Sequence, residues 1–171
     1  MPFPRSQLDA YFVFAEEHRE LLEQMERLRT RWVESGYLSS GYKPTQEGRV
    51  YFGLEEFFNI QSIYLPTKQL FANHQGGYRV FCPVTDELVT SDFVKGVQRW
   101  RNTIQKTEFY LVCSQCQERH LLDEVYGKPA FAFGRYALRF INIGQATPSS
   151  KLLEDLQVGV GPFKVVLSRV G

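Results

Sequence analysis

The first part of the chain has hydrophobic positions three or four residues apart, a spacing typical of one face of an α-helix. The spacing runs from Leu8 to Trp32, and His18 occupies the one position where an apolar residue is missing. Ser6 is a candidate N-cap and Gly36 a candidate C-terminal stop. The pattern predicts a long N-terminal helix within residues 1–36, about 44 Å long, which either packs along the core or projects towards a partner. The apolar positions are Leu8, Tyr11, Phe12, Ala15, Leu22, Met25, Leu28 and Trp32.

The rest of the chain contains shorter patterned segments separated by Gly, Pro and Ser. Alternation of apolar and polar residues predicts strands over 62–65, 78–82, 109–113, 130–143 and 163–170. Short helices are predicted over 54–58, 92–98 and 150–156, with Ser149 as the N-cap of the last. A loop is predicted over 39–48 and a turn over 75–77.

No linker divides the chain, so we expect one domain over residues 1–171. The predicted fold class is α+β, with the long helix packed on an antiparallel sheet. Within this domain, residues 1–36 form the helix, residues 78–120 a ribbon region, and residues 130–170 the C-terminal strands and helix.

Two predicted strands each end in a cysteine that opens a tight turn. The first turn is Cys82-Pro-Val-Thr85 and the second is Cys113-Ser-Gln-Cys116. In a zinc ribbon, two C-x-x-C knuckles face each other and direct four thiolates at one ion. Because Thr85 stands where the fourth cysteine would be, the sequence predicts a degenerate zinc ribbon.

Three interpretations of the cysteines stay open. The first is a zinc ion bound by Cys82, Cys113, Cys116 and His120. Asp86 and the more distant His74 are alternative fourth ligands. The second is a ribbon that holds its fold by packing alone, which the length of the chain favours because structural zinc matters most in small cores. The third, redox use of Cys113 and Cys116, lacks the helix that such motifs open. We therefore expect no cofactor, with Zn²⁺ as the one candidate.

Composition narrows the classes of function. The 171 residues carry a net charge of only +1, which gives no overall field to attract nucleic acid or acidic membranes. One stretch around Trp100 combines basic residues with an aromatic ring, a weak nucleic-acid footprint that Asp92 and Glu108 dilute. Its basic residues are Lys95, Arg99, Arg101 and Lys106.

Several other classes are disfavoured by what the sequence lacks. It has no apolar run of membrane-spanning length and no signal-peptide pattern near its start, so we expect a cytoplasmic protein that does not contact membranes. It has no nucleophile elbow, zinc-protease motif or phosphate-binding loop, so we expect a protein that is not an enzyme.

The order of these features resembles a group of small bacterial proteins with a CPxC…W…CPxC…FG…FxN pattern. The resemblance covers residues 50–171, and the chain departs from the pattern at Thr85 and Ser114, where the group tends to have Cys and Pro. The motif residues are Phe81-Cys82-Pro83, Trp100, Cys113-x-x-Cys116, Phe131-Ala-Phe-Gly134, Leu138-Arg-Phe-Ile-Asn142, Leu152-Leu-x-x-Leu156 and Pro162-Phe-Lys-Val-Val-Leu-Ser-Arg169.

Members of that group resemble immunity proteins encoded beside polymorphic or type VI secreted toxins. The resemblance implies a cytoplasmic inhibitor that binds a cognate toxin directly. A rigid surface with aromatic anchors and a few charges would suffice for such binding. The alternative function is that of a zinc-ribbon protein that binds nucleic acid or assists transcription.

Overall fold

The computed structural model describes residues 7–54, 57–73, 77–104, 106–144 and 147–170. The chain forms two compact units: unit 1 comprises residues 1–76 and 132–171, and unit 2 comprises residues 77–131. The α+β class is confirmed, whereas one domain over residues 1–171 stays a prediction. None of the helices among the described residues combines the length and the apolar character that crossing a membrane requires.

Unit 1 is built on a four-stranded antiparallel sheet with the strand order β2-β7-β1-β8. Helix α1 packs its apolar face against this sheet, and its buried residues follow the helical spacing: Leu21, Met25, Leu28 and Trp32. Helices α2 and α4 complete the same core. The elements of unit 1 are β1 (Gln7–Phe14), α1 (Glu20–Glu34), α2 (Gln46–Phe52), β2 (Ile60–Phe71), β7 (Ala132–Phe140), α4 (Ser150–Gly159) and β8 (Phe163–Val170).

The prediction of one long N-terminal helix is wrong. Residues 7–14 form β1, which lies between β7 and β8, and the helix begins only at Glu20. The segment Ala10-Tyr-Phe-Val-Phe14 is rich in aromatic and β-branched residues, which favour a strand. His18, the gap in the helical pattern, lies in the loop between the two elements. The predicted cap, Ser6, lies outside the described residues.

The predicted helix over 54–58 is also wrong for its described residues, and residues 55–56 lie outside them. The helix is α2, which Thr45 caps by accepting a hydrogen bond from the Gly48 N–H. The predicted loop over 39–48 therefore ends inside this helix. Gly53 ends α2 in the left-handed conformation, with φ of 70°. Of the predicted turn over 75–77, only residue 77 is described.

Several later elements agree with the pattern of the sequence, whereas the strands Arg119–Leu121 and Tyr126–Lys128 were not predicted. Strand β2 includes the predicted segment 62–65 and extends further in both directions, and β8 matches the predicted 163–170. The hydroxyl of Ser149 accepts the N–H of Leu152 at 3.1 Å, which confirms the predicted cap of α4. The predicted 92–98 helix is the middle of a longer helix in unit 2.

Unit 2 places one helix against two sheets of two short strands each. Strand β3 pairs with β6, and β4 pairs with β5, both antiparallel. Helix α3 packs so closely on β4 that a Cβ at Gly96 would lie only 2.9 Å from the Tyr110 carbonyl oxygen. The elements are β3 (Arg79–Phe81), α3 (Thr90–Asn102), β4 (Tyr110–Val112), β5 (Arg119–Leu121) and β6 (Tyr126–Lys128). The predicted ribbon region lies within this unit.

Candidate metal centre

The first predicted knuckle follows β3 and closes with two backbone hydrogen bonds. The N–H of Cys82 donates to the carbonyl of Glu87 at 2.9 Å, and the N–H of Asp86 donates to the carbonyl of Cys82 at 2.9 Å. Asp86 has a positive φ of 59°, which turns the chain back on itself. Phe81 then bridges to Leu88 across the turn.

The second knuckle repeats this arrangement, 31 residues later in the sequence. The N–H of Cys113 donates to the carbonyl of Glu118 at 2.9 Å, and the N–H of Gln117 donates to the carbonyl of Cys113 at 3.0 Å. Gln117 has a φ of 66°, and Val112 pairs with Arg119 across the turn. The two knuckles therefore share one backbone geometry.

The shared geometry makes Thr85 the structural equivalent of Cys116. The Thr85 hydroxyl hydrogen-bonds to the Cys82 sulfur, and it accepts the N–H of Glu87 at 3.3 Å. The Val84 N–H also approaches the Cys82 sulfur, at 3.4 Å. These donors stabilise the thiolate of Cys82, but the hydroxyl oxygen of Thr85 is a poor ligand for zinc.

The fourth candidate ligand comes from β5 instead of the first knuckle. His120 is opposite Leu111 in the β4–β5 ladder, and its side chain is only 5% exposed. Its Nε2 atom lies 3.1 Å from the Cys116 sulfur and 3.6 Å from the Cys82 sulfur. Because strand neighbours point to opposite faces, His120 points inward while Arg119 and Leu121 are exposed.

The four side chains lie close together and could hold a metal ion. The ligand atoms of Cys82, Cys113, Cys116 and His120 all lie within 4.8 Å of one another. In a tetrahedral zinc site with Zn–S near 2.3 Å and Zn–N near 2.0 Å, ligand atoms are about 3.5–3.8 Å apart. Cys82 and Cys113 are fully buried and all three cysteines are free thiols. The donor set therefore fits a Cys₃His site in number and type, and its atoms lie near enough to one another to reach one ion.

The cluster already favours one thiolate without any metal. Burial raises the pKa of Cys82, but hydrogen bonds from Thr85, from the Val84 N–H and from the Cys113 thiol outweigh burial and lower this pKa to about 6. At Cys116 the Glu118 backbone lowers the pKa, and burial together with the neighbouring sulfur atoms outweighs it, so that the pKa is raised. Because the sulfur atoms lie close together, a second thiolate would be repelled by the first. A divalent cation bound between them would offset this repulsion.

Among the described residues, the alternative fourth ligand Asp86 does not join this cluster. The Asp86 carboxylate is exposed and accepts the hydroxyl of Tyr126 at 2.5 Å. His74 lies outside the described residues. The sequence pattern placed His120 first and Asp86 second as the fourth ligand, but only the facing of β5 decides which of them reaches the cluster.

The residues of the predicted nucleic-acid footprint do not form an open stacking surface. Trp100 is only 2% exposed and packs edge-on against Phe109. Arg99 donates to the Tyr110 carbonyl at 2.6 Å and lies 3.3 Å from the Glu108 carboxylate. A buried ring cannot stack on a base, so this stretch offers mainly isolated surface cations.

Comparison with known proteins adds no assignment to this centre. The chain matches no protein-family model, no curated protein and no solved structure.

Proposed function

We propose that unit 2 is a zinc ribbon in which Cys82, Cys113, Cys116 and His120 bind one Zn²⁺ ion. The observation that carries this proposal is the convergence of four ligand atoms within 4.8 Å from two knuckles of equal geometry. Zinc prefers sulfur and imidazole nitrogen, and a closed set of four such ligands is typical of a structural site. The ion would hold the two knuckles together and would not take part in a reaction.

The size of unit 2 supports the same proposal. The length of the whole chain favoured a ribbon that holds its fold without metal. The compact unit that contains the cysteines comprises only residues 77–131. A core of that size commonly depends on a metal or a disulfide for part of its stability.

Metal analysis of the purified full chain tests this proposal. We expect close to one zinc per chain after dialysis against buffer without metal, and loss of zinc in Cys113→Ser. Ser114→Ala is the matched control, because Ser114 lies in the same turn but outside the ligand set. Full zinc content in Cys113→Ser, or no zinc in the wild type after growth with added zinc, would contradict the site.

We further propose that the protein is a non-catalytic binding protein, a cytoplasmic immunity protein that neutralises a cognate bacterial toxin. The support is the sequence pattern shared over residues 50–171, together with a ribbon that a structural ion would make rigid. A preorganised surface loses little entropy on binding, which favours tight inhibition.

Co-expression tests this role. A toxin-like protein encoded beside the gene should stop growth when expressed alone, and this chain should restore growth and co-purify with that protein in stoichiometric amounts. Growth arrest that persists despite soluble expression of this chain would rule out neutralisation of that toxin.

A further inference from the structure

One side of the ribbon carries an apolar row beside a pair of cations. In this row Leu88, Phe81 and Tyr126 are neighbours, because Phe81 bridges to Leu88 on one side and pairs with Tyr126 of β6 on the other. Arg79 and Lys128 form the pair two positions along the same ladder and therefore point to the same side. We call these five residues the ribbon face.

The apolar row of the ribbon face is accessible and ordered by contacts within the face. Leu88 is 52% exposed and Tyr126 is 38% exposed. The rings of Phe81 and Tyr126 stack with centroids 5.4 Å apart and an interplanar angle of 19°. The Tyr126 hydroxyl is held by Asp86 at 2.5 Å. Large, preorganised aromatic side chains of this kind are typical anchors of protein interfaces.

The cation pair has no counter-charge within the part of the chain that the structure describes. Arg79 and Lys128 are directly opposite each other, an arrangement of like charges that destabilises a ladder. Both are exposed, and no described carboxylate lies within ion-pair distance of either. The Lys128 ammonium instead lies 5.6 Å from the centre of the Phe81 ring. The arrangement costs stability and leaves two positive charges unneutralised.

We propose that the ribbon face is a docking surface for an acidic segment of a partner protein, whose carboxylates pair with Arg79 and Lys128 while an apolar side chain packs on the Leu88–Phe81–Tyr126 row. The proposal rests on the proposed binding function and names the surface that would carry it. Charge complementarity selects the partner: the two cations need carboxylates, and the apolar row beside them needs an apolar side chain. A nucleic-acid strand fits less well, because residues 77–131 contain equal numbers of acidic and basic residues and so present no continuous positive track.

A charge reversal separates the docking role from a structural one. Lys128→Glu replaces a like-charged ladder pair with an opposite-charged pair, so we expect a higher melting temperature together with weaker binding. The probe is a short peptide of alternating glutamate and leucine. Its binding is monitored by the changes in the amide chemical shifts of the full chain. For the wild type we expect shifts centred on residues 79–81, 88 and 126–128, and about tenfold weaker binding in Lys128→Glu.

Lys95→Glu is the matched control, because Lys95 is an exposed lysine on α3 outside the ribbon face. If Lys95→Glu and Lys128→Glu weaken peptide binding equally, the loss comes from the change in net charge and not from the ribbon face. That result would overturn the proposal. Larger shifts of the same amides with oligothymidylate than with the peptide would assign the face to nucleic acid and overturn it as well.

The toxin experiment distinguishes failure of the face from failure of the function. Full rescue of growth by both the wild type and Lys128→Glu would support the immunity role and show that the ribbon face does not take part in it. No rescue by the wild type would remove the immunity role, while the peptide titration would still decide whether the face binds acidic segments.

Discussion

Thr85 and Cys116 occupy equivalent places in two turns of the same geometry, but only Cys116 offers a sulfur atom. His120 offers the remaining candidate ligand from the adjacent strand, with its Nε2 atom 3.1 Å from the Cys116 sulfur. The candidate metal centre therefore resembles a four-cysteine ribbon in its backbone and a Cys₃His site in its side chains.

This equivalence predicts a rescue. His120→Ala should reduce zinc affinity by at least about tenfold, because a first ligand is lost. Adding Thr85→Cys to that variant should restore zinc binding, since a thiol at position 85 would have the same backbone geometry as Cys116. Competition with a chromogenic chelator measures the affinities. His120→Ala with Thr85→Ser is the control, and equal affinity in the two double variants would refute the equivalence.

The sequence named all four proposed ligands, but only three of them on a local pattern. The register of Cys82, Cys113 and Cys116 follows from the C-x-x-C pattern, which is local in the chain. The choice between His120 and Asp86 depends on which side of β5 faces inward. It also depends on the hydrogen bond from the Tyr126 hydroxyl to Asp86, two residues that are 40 positions apart in the sequence. Local patterns carry no information about such distant partners.

A second residue-level prediction concerns Tyr51 in unit 1. Its hydroxyl donates to Asp155 at 2.6 Å, and Asp155 also accepts the indole N–H of Trp32 at 2.9 Å. Burial, followed by the hydrogen bond to Asp155, raises the pKa of Tyr51 above its ordinary value of 10.0. The folded state thus prefers neutral Tyr51, and its contribution to stability is complete below pH 10 and declines as the pH rises above that value.

Tyr51→Phe should lower the free energy of unfolding by about 1–2 kcal/mol at neutral pH, because a hydrogen bond to a carboxylate is lost. The same change should reduce the decline in stability between neutral pH and about pH 11. Urea unfolding at both pH values measures the two effects. Tyr64→Phe is the matched control, since Tyr64 is 52% exposed. An unchanged alkaline decline in Tyr51→Phe would contradict this role.

At the scale of elements, β1 shows why the sequence pattern misled. Leu8 and Phe12 are four residues apart, which agrees with a helix, but Ala10, Phe12, Val13 and Phe14 are all buried in a central strand. A strand that is covered on both faces loses its simple alternation, so periodicity alone does not identify it. Helix α1 lies wholly within the predicted helix, because its apolar stripe faces a single sheet.

The register of β1 is fixed in part by a buried charge. Asp9 is fully buried and accepts hydrogen bonds from the Arg139 Nε atom at 2.9 Å, the Gln7 amide at 2.8 Å and the Asn142 N–H at 3.0 Å. A slip of one residue would turn Asp9 towards the helix-covered apolar core and away from these donors. The pair therefore specifies one alignment of β1 on β7.

Asp9→Ala should destabilise the protein by about 3 kcal/mol, because Arg139 would lose its partner while remaining three-quarters buried. Asp9→Ala combined with Arg139→Met should be more stable than Asp9→Ala alone, since no unpaired charge is left. Thermal and urea unfolding provide the comparison. A double variant less stable than the single one would show that packing, and not the buried charge, governs this position.

At the scale of the whole molecule, the two units differ in what holds each together. Unit 1 has a large aromatic core between its sheet and three helices, including Trp32, Phe52 and Phe140, whose rings contact one another edge-on. Unit 2 has short strands of three residues each and one helix. Zinc binding would therefore stabilise unit 2 far more than unit 1.

Chelation of the metal should raise amide hydrogen exchange mainly within residues 77–131. Strands β1 and β7 of unit 1 should keep their protection, because no proposed ligand lies in them. Mass-spectrometric exchange with and without a strong chelator measures this difference. Uniform loss of protection over both units, or no change in either, would conflict with a local structural role for the ion.

The most direct measurement of the central claim is zinc K-edge X-ray absorption on the purified full chain. A Cys₃His site predicts three sulfur atoms at about 2.3 Å and one nitrogen at about 2.0 Å from the ion. The spectrum of His120→Ala should lose the nitrogen contribution from imidazole. A first shell composed only of oxygen and nitrogen, or a wild-type spectrum without an imidazole ligand, would contradict the assignment of Cys82, Cys113, Cys116 and His120.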